Sequence, residues 1–303
     1  MLSAFEIDKL NSQFEIPGVA KLIAGNGGLA KIQIAFPAAS ADIYLHGAQV
    51  TSWQPASAEE VIFLSGQSRW EEGKAIRGGI PVCFPWFRGK ADDPKAPAHG
   101  FARTREWQLG SLEQENDTVI ATLTTESDDA SRKWWPYEFH AALRISVGAE
   151  LKLELTVTNS GSLPFHFEEA LHTYNRVGDV EAIRVVGLDK VAFLDNRDGN
   201  KEKHQPGDIV LSAQTDNAYT DTQSAVEIVD PMLKRRIRLE KSGSFTTVVW
   251  NPWSDGAAPL VDLGDDEWRQ MACVEASNII GSAVILAPGQ QHTMTTKIRV
   301  IAA

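Results

Sequence analysis

The chain has 303 residues, 43% of them hydrophobic and 23% charged, and a formal net charge of −11. This balance is typical of a soluble globular protein, and the negative charge argues against non-specific binding to nucleic acid, which needs a basic surface. The two cysteines do not make a disulfide framework, and neither a signal-peptide core nor a membrane-spanning apolar run is present, so we expect free thiols and a cytoplasmic location.

Short alternating segments dominate the chain and predict β-strands, because alternation places one set of side chains on each face of a sheet. The predicted strands, in chain order, are 29–36, 118–125, 140–147, 150–158, 208–212, 245–250 and 294–301. The best helical candidate is a short segment around 264–271, with acidic residues early in its turn. Many short strands separated by turn residues are typical of a sandwich or barrel, so we predict an all-β protein with one domain over 1–303.

The apolar segment 76–87 carries one charge, Arg77, directly before Gly78 and Gly79. Glycine allows the backbone to approach another group closely, and a guanidinium binds carboxylates and phosphates well. The segment is therefore a candidate anion site. The alternative is an internal ion pair between Arg77 and one of the many acids of the chain.

Three basic residues lie close together in the segment 97–107: His99, Arg103 and Arg105. If the segment is extended, these residues share one face, because side chains alternate along a strand. The pattern then indicates a second basic element of a binding site. A solvated basic turn explains it equally well.

Polar side chains occupy one predicted face of the segment 165–174. As a strand, it would place its apolar side chains on one side, with Glu169 as the exception, and three polar side chains on the other, namely His166, Glu168 and His172. Such a face favours the lining of a cleft, although it could also face solvent. The residue types are zinc ligands, but their spacing matches no zinc signature, and we expect no metal.

Glu275 stands in the small, apolar segment 270–278. An apolar environment raises the pKa of a carboxyl group, which suits acid–base chemistry near neutral pH. The alternative is a structural carboxylate that pairs with an arginine.

These segments together resemble the aldose 1-epimerase superfamily, and within it the glucose-6-phosphate 1-epimerase branch. The matching segments follow the order of the family: AQVTSW at 48–53, IRGGIPVCFPWF at 76–87, HGFAR at 99–103, ALHTY at 170–174, GLDKVAFLD at 187–195, VVWNPW at 248–253 and CVEASN at 273–278. The resemblance implies a galactose-mutarotase-like supersandwich of large antiparallel sheets with few short helices. It also implies a hexose-6-phosphate mutarotase that needs no cofactor.

The resemblance assigns a role to each candidate residue. His172 aligns with the general acid of the family and Glu275 with its general base. The other four residues align with substrate-binding positions: Arg77 and Arg103 with the arginines that hold the 6-phosphate, His99 with a second histidine near the sugar, and Asp216 with a substrate-binding aspartate.

The sequence departs from many relatives at two positions, Ala98 and Arg88, where those relatives carry glutamine and glycine. The first change removes one possible sugar contact, and the second adds a charge that could reach the phosphate or face solvent. Two other functions stay open: a mutarotase for neutral aldoses, and a non-catalytic carbohydrate-binding sandwich. We expect a monomer whose partner is a small sugar phosphate.

Overall fold

Antiparallel strands make up most of the protein, in a computed structural model that describes residues 1–302. The strands have these bounds: β1 (Ala20–Ala24), β2 (Ala30–Phe36), β3 (Ala39–Tyr44), β4 (Gln49–Pro55), β5 (Val82–Cys83), β6 (Gln108–Glu115), β7 (Thr118–Glu126), β8 (Phe139–Val147), β9 (Glu150–Asn159), β10 (Phe165–Phe167), β11 (Glu169–Leu171), β12 (Tyr174–Arg176), β13 (Arg184–Val186), β14 (Ala192–Asp195), β15 (Lys201–His204), β16 (Thr215–Tyr219), β17 (Val226–Asp230), β18 (Arg235–Ser242), β19 (Thr246–Asn251), β20 (Met271–Asn278), β21 (Val284–Leu286) and β22 (Gln291–Ala302).

The strands form two eight-stranded sheets, a four-stranded sheet and a two-stranded sheet. One large sheet has the order β13-β17-β18-β22-β9-β8-β7-β6. The other has the order β15-β14-β16-β19-β20-β11-β5, with β12 also paired to β20. The four-stranded sheet runs β1-β2-β3-β4, and β10 pairs with β21. Every paired strand is antiparallel, which confirms the predicted all-β architecture.

Helices are short and peripheral. The α-helices are α1 (Ala4–Phe14), α2 (Asp129–Arg132) and α3 (Trp253–Ala257). The sequence reading missed α1, although its start carries a recognisable signal: Ser3 and Glu6 form a capping box. Within residues 1–302, no helix has the length and apolar character needed to cross a membrane.

Six of the seven predicted strands are present, and their alternation gives the core. In β9, Leu151, Leu153, Leu155 and Val157 are fully buried, while the residues between them are partly exposed. The prediction for 208–212 is wrong, since the segment makes an isolated bridge from Ile209 to Val185. Its alternation reflects buried side chains on a loop.

The predicted helix around 264–271 is reduced to one 3₁₀ turn, Glu267–Gln270. The Glu267 carboxylate accepts hydrogen bonds from the Ser65 hydroxyl and from the backbone N–H groups of Gly66 and Gly264. These contacts fix the turn against a distant loop. The chain then enters β20 at Met271, so a longer helix has no room to form.

The strand β20 is the most enclosed element of the site. All eight of its residues are buried, because it lies between β19 and β11 in the middle of the sheet. A carboxylate on this strand must therefore lie in a low-dielectric environment unless a cavity reaches it. Glu275 is that carboxylate.

Candidate active site

A cavity of about 330 Å³ opens over the sheet that contains β20. Its size falls within the usual range of small-molecule sites. All six residues predicted from the sequence line it: Arg77, His99, Arg103, His172, Asp216 and Glu275. The fold therefore collects side chains from distant parts of the chain into one place.

His172 and Glu275 form the most buried part of the cavity wall. His172 directly follows β11, and its backbone N–H donates to the Pro81 carbonyl. The pairing of Leu171 with Ala276 brings the two strands into register, so that His172 Nε2 lies 3.4 Å from Glu275 Oε1. The two atoms are close but not aligned as a hydrogen bond. His172 Nδ1 and both Glu275 oxygens have no hydrogen-bond partner among residues 1–302.

Unpartnered buried polar atoms need an explanation in a native structure, because each costs free energy. Here the two residues that carry three such atoms both line the cavity. A ligand that brings hydroxyl groups would satisfy them. The arrangement therefore favours a polyhydroxylated ligand bound against His172 and Glu275.

Burial shifts the pKa values of this pair in opposite directions. It lowers the pKa of His172 to about 3, and the positive charges of Arg103 and Arg77 add to this effect. It raises the pKa of Glu275 well above its ordinary value, helped by the nearby charge of Asp216. Both shifts disfavour the charged forms. In the protein alone, both shifts therefore favour a proton on Glu275 over a proton on His172.

Two aromatic residues position the imidazole of His172. The Tyr174 ring stacks on it with centroids 4.8 Å apart, and the Trp250 ring meets it edge-on at 5.8 Å. The Tyr174 hydroxyl accepts a hydrogen bond from Arg77 Nη1 at 3.1 Å. Both aromatic residues stand in segments that resemble the family, at 170–174 and 248–253, although the sequence alone does not indicate their role.

Arg77 lines the cavity and also has an internal partner. Its guanidinium lies 3.1 Å from Asp262 Oδ1, and the contact with Tyr174, followed by this ion pair, raises the pKa of Arg77. The glycines beside it do not leave room for a ligand. A Cβ atom on Gly78 would lie 2.6 Å from the Phe63 carbonyl oxygen, so these glycines allow close backbone packing.

Arg103 is the cavity arginine with fewest partners. Its Nη2 donates to the Ala98 carbonyl at 2.9 Å, while its buried Nε has no partner in the described part of the chain. The segment is not extended as predicted, since 102–104 forms a 3₁₀ turn. Arg105 consequently points away from the cavity and pairs with Asp128 at 2.8 Å.

His99 remains beside the catalytic candidates despite this turn. Its ring lies 5.7 Å from the ring of His172, and its Nδ1 accepts a hydrogen bond from the Arg88 backbone N–H. Burial and the charge of Arg103 lower its pKa well below the ordinary value. His99 is therefore a neutral imidazole whose Nε2 carries the proton and can donate to a ligand.

Arg88 faces the cavity and pairs with Asp216. Arg88 Nη2 donates to Asp216 Oδ1 at 2.7 Å, and Asn196 Nδ2 donates to Asp216 Oδ2 at 2.6 Å. Both carboxylate oxygens of Asp216 are thus engaged and its orientation is fixed. The charge added by Arg88 therefore holds this carboxylate, which is one of the charges acting on Glu275.

Comparison with known proteins identifies the family of the chain. The family model for aldose 1-epimerase matches residues 30–299. The chain belongs to the aldose 1-epimerase family. A protein from Cenchrus ciliaris, provisionally named glucose-6-phosphate 1-epimerase, is 34% identical over 288 residues, which cover 90% of this chain and 85% of that protein.

Solved structures that are similar to this chain show the same fold. A provisionally assigned mutarotase from Salmonella typhimurium is 29% identical and superposes with a TM-score of 0.89 over 98% of this chain and 100% of its own. A galactose mutarotase-like protein from Clostridium acetobutylicum has 18% identity and a TM-score of 0.72, over 94% and 98% of the two chains. The predicted galactose-mutarotase-like fold is thereby confirmed, and the protein is an isomerase of the epimerase family.

The predicted polar face of 165–174 does not exist as one surface in this epimerase. The strand breaks at Glu168, whose carboxylate accepts hydrogen bonds from the backbone N–H groups of Phe87 and Ile280. His166 and Glu168 then face a separate cleft lined by Trp134 and Trp135, while His172 faces the candidate active site. The prediction failed because a side chain that caps two backbone groups interrupts the alternation.

The structure brings together a different set of metal-ligand types from the one the sequence suggested. His172, Cys273 and Glu275 place their ligand atoms within 4.8 Å of one another. The neighbouring guanidinium groups of Arg77 and Arg103 disfavour a divalent cation there, since like charges repel strongly in a buried site. That the enzyme works without a metal remains a prediction.

Proposed function

We propose that this epimerase interconverts the α and β anomers of glucose 6-phosphate and related hexose 6-phosphates. The observation that carries the proposal is the cavity itself. A buried, unpartnered acid–base pair forms one part of its wall, and the guanidinium groups of Arg77 and Arg103 form another. A chain with a net charge of −11 repels anions on average, so a sugar phosphate must be held by such a local cluster.

Mutarotation requires two proton transfers and the cleavage of one bond. Glu275 as carboxylate removes the proton from the anomeric hydroxyl while His172 as imidazolium protonates the ring oxygen. The C1–O5 bond breaks and leaves an open-chain aldehyde. The aldehyde rotates about C1–C2 and recloses on its other face, while Glu275 returns its proton to the anomeric oxygen and His172 takes a proton back from the O5 hydroxyl. Each such catalyst contributes roughly 10²–10⁴-fold to the rate.

The positions of the remaining polar groups suit a bound hexose. Asp216, held in place by Arg88 and Asn196, offers acceptor lone pairs to sugar hydroxyls, and the Nε2–H of His99 can donate. Trp250 and Tyr174 give the cavity apolar surfaces against which the sugar ring can pack. We expect this chemistry to need no cofactor, and we expect the protein to act as a monomer.

The proposal is tested by exchange NMR on the anomers of glucose 6-phosphate and of glucose, with and without the protein. We expect strong acceleration of exchange for the phosphate ester and a much smaller effect on glucose. Equal acceleration of both sugars would instead indicate a mutarotase for neutral aldoses. No acceleration of either sugar would indicate a carbohydrate-binding protein.

A further inference from the structure

Positive charge surrounds the group that must become positive during catalysis. The ionisable residues that face His172 come from four parts of the chain: Arg77, His99 and Arg103, Cys273 and Glu275, and Tyr174. His99 is neutral, and burial holds the Tyr174 hydroxyl and the Cys273 thiol in their protonated forms. The two guanidinium groups are therefore the charges that oppose an imidazolium at His172.

The charge of Arg103 acts on both members of the acid–base pair, whereas Arg77 acts on His172 and Arg88 on Glu275. Arg77 reaches His172 through Tyr174, whose hydroxyl it contacts and whose ring stacks on the imidazole. The charges near Glu275 are those of Asp216, Arg88 and Arg103. An anion that neutralises Arg77 and Arg103 would thus favour a proton on His172 more than a proton on Glu275.

We propose that a phosphate dianion held by Arg77 and Arg103 activates His172 as the acid, so that the phosphate accelerates the chemical step in addition to binding the substrate. The inference rests on the proposed function and deepens it. The reactive arrangement has the proton on His172 and a free carboxylate on Glu275. Bound phosphate moves the pair toward that arrangement, because it cancels the field that opposes the imidazolium.

The proposal explains why a neutral sugar would react slowly even when it is bound. Glucose leaves both arginines uncompensated, so the proton continues to favour Glu275 over His172. A change of one pKa unit at His172 alters the population of the reactive form about tenfold. We therefore expect the phosphate to change kcat and not KM alone.

The test supplies the anion separately from the sugar. Exchange NMR measures the anomerisation of glucose by the protein as phosphite dianion is added at constant ionic strength, and the rate with His172→Asn at the same phosphite concentration gives the background. We expect saturable activation of about tenfold. Arg103→Ala should lose this activation, whereas Arg105→Ala should keep it, because Arg105 pairs with Asp128 outside the cavity.

Two results would overturn the inference. The first is that phosphite leaves glucose exchange unchanged or inhibits it. Two controls make this result decisive: the protein turns over glucose 6-phosphate rapidly, and phosphite competes with that substrate. Equal activation in wild type and Arg103→Ala would show that phosphite acts elsewhere. Absence of any turnover of glucose 6-phosphate would refute the proposed function itself, which is a distinct outcome of the same experiment.

Discussion

Replacement of Arg103 by alanine gives the cleanest test of phosphate recognition. Its side chain has one protein partner, the Ala98 carbonyl, so the change leaves no carboxylate without a partner. A charge-assisted hydrogen bond to a phosphate contributes roughly 1.5–3 kcal/mol, which corresponds to about 10–150-fold in binding. We expect kcat/KM for glucose 6-phosphate to fall by about that factor. The much slower reaction of glucose should not fall, because glucose has no phosphate to lose.

Arg77→Ala should lower kcat/KM for glucose 6-phosphate by a similar factor, but it is a less selective change. It leaves Asp262 without its ion-pair partner and removes the hydrogen bond to the Tyr174 hydroxyl. The assay is exchange NMR on both sugars for each variant, with Arg105→Ala as the control for loss of a nearby arginine. If Arg103→Ala lowers kcat/KM equally for both sugars, Arg103 stabilises the fold or contacts the sugar ring, and the reasoning about the phosphate is refuted.

Three further predictions follow from the geometry. Exhaustive treatment with EDTA should leave activity unchanged, and metal analysis should find no stoichiometric ion; activity lost on chelation and restored by zinc would show a metal enzyme. The pair holds one proton between the pKa of His172, about 3, and the raised pKa of Glu275, so kcat/KM for glucose should fall as the pH rises through the Glu275 pKa and should not fall on mild acidification; a loss of rate on mild acidification would contradict this. Gly79→Ala should lower the free energy of unfolding by roughly 2 kcal/mol or more, since its φ is +71° and a Cβ would lie 2.4 Å from the Val50 carbonyl oxygen, whereas Gly281→Ala, which meets no atom within 4 Å, should be near neutral in thermal melts.

The fold was largely predictable because its strands alternate strongly. In β9 each buried leucine alternates with a partly exposed residue, so the sequence indicates both the strand and its core face. The segment 208–212 alternates as well, yet it lacks a neighbouring strand over most of its length. Alternation reports which side chains are buried, and a strand additionally needs a partner for its backbone.

The membership of the site was predictable from motifs, while its internal pairing was not. His172 and Glu275 are 103 positions apart in the chain, and their contact at 3.4 Å depends on the register between β11 and β20. The pairing of Arg88 with Asp216 also depends on where a loop meets a strand. Such contacts follow from tertiary packing, which a local pattern does not contain.

The break at Glu168 shows the same limit on a smaller scale. Period-two alternation predicted one continuous strand through His172. The Glu168 carboxylate accepts hydrogen bonds from two backbone N–H groups of other segments. These contacts end the strand and separate the two clefts. The signal for such a cap lies in the residues it contacts, Phe87 and Ile280, which are distant in sequence.

The most direct test of the central claim is the rate of anomer exchange of glucose 6-phosphate with wild type and with Glu275→Gln. The glutamine keeps the size of the side chain but cannot accept or release the catalytic proton. The account predicts rapid exchange with wild type and a fall in kcat of roughly 10²–10⁴-fold in the variant, with unchanged thermal stability as the control for folding. A folded Glu275→Gln protein that exchanges the anomers at nearly the wild-type rate would contradict the account.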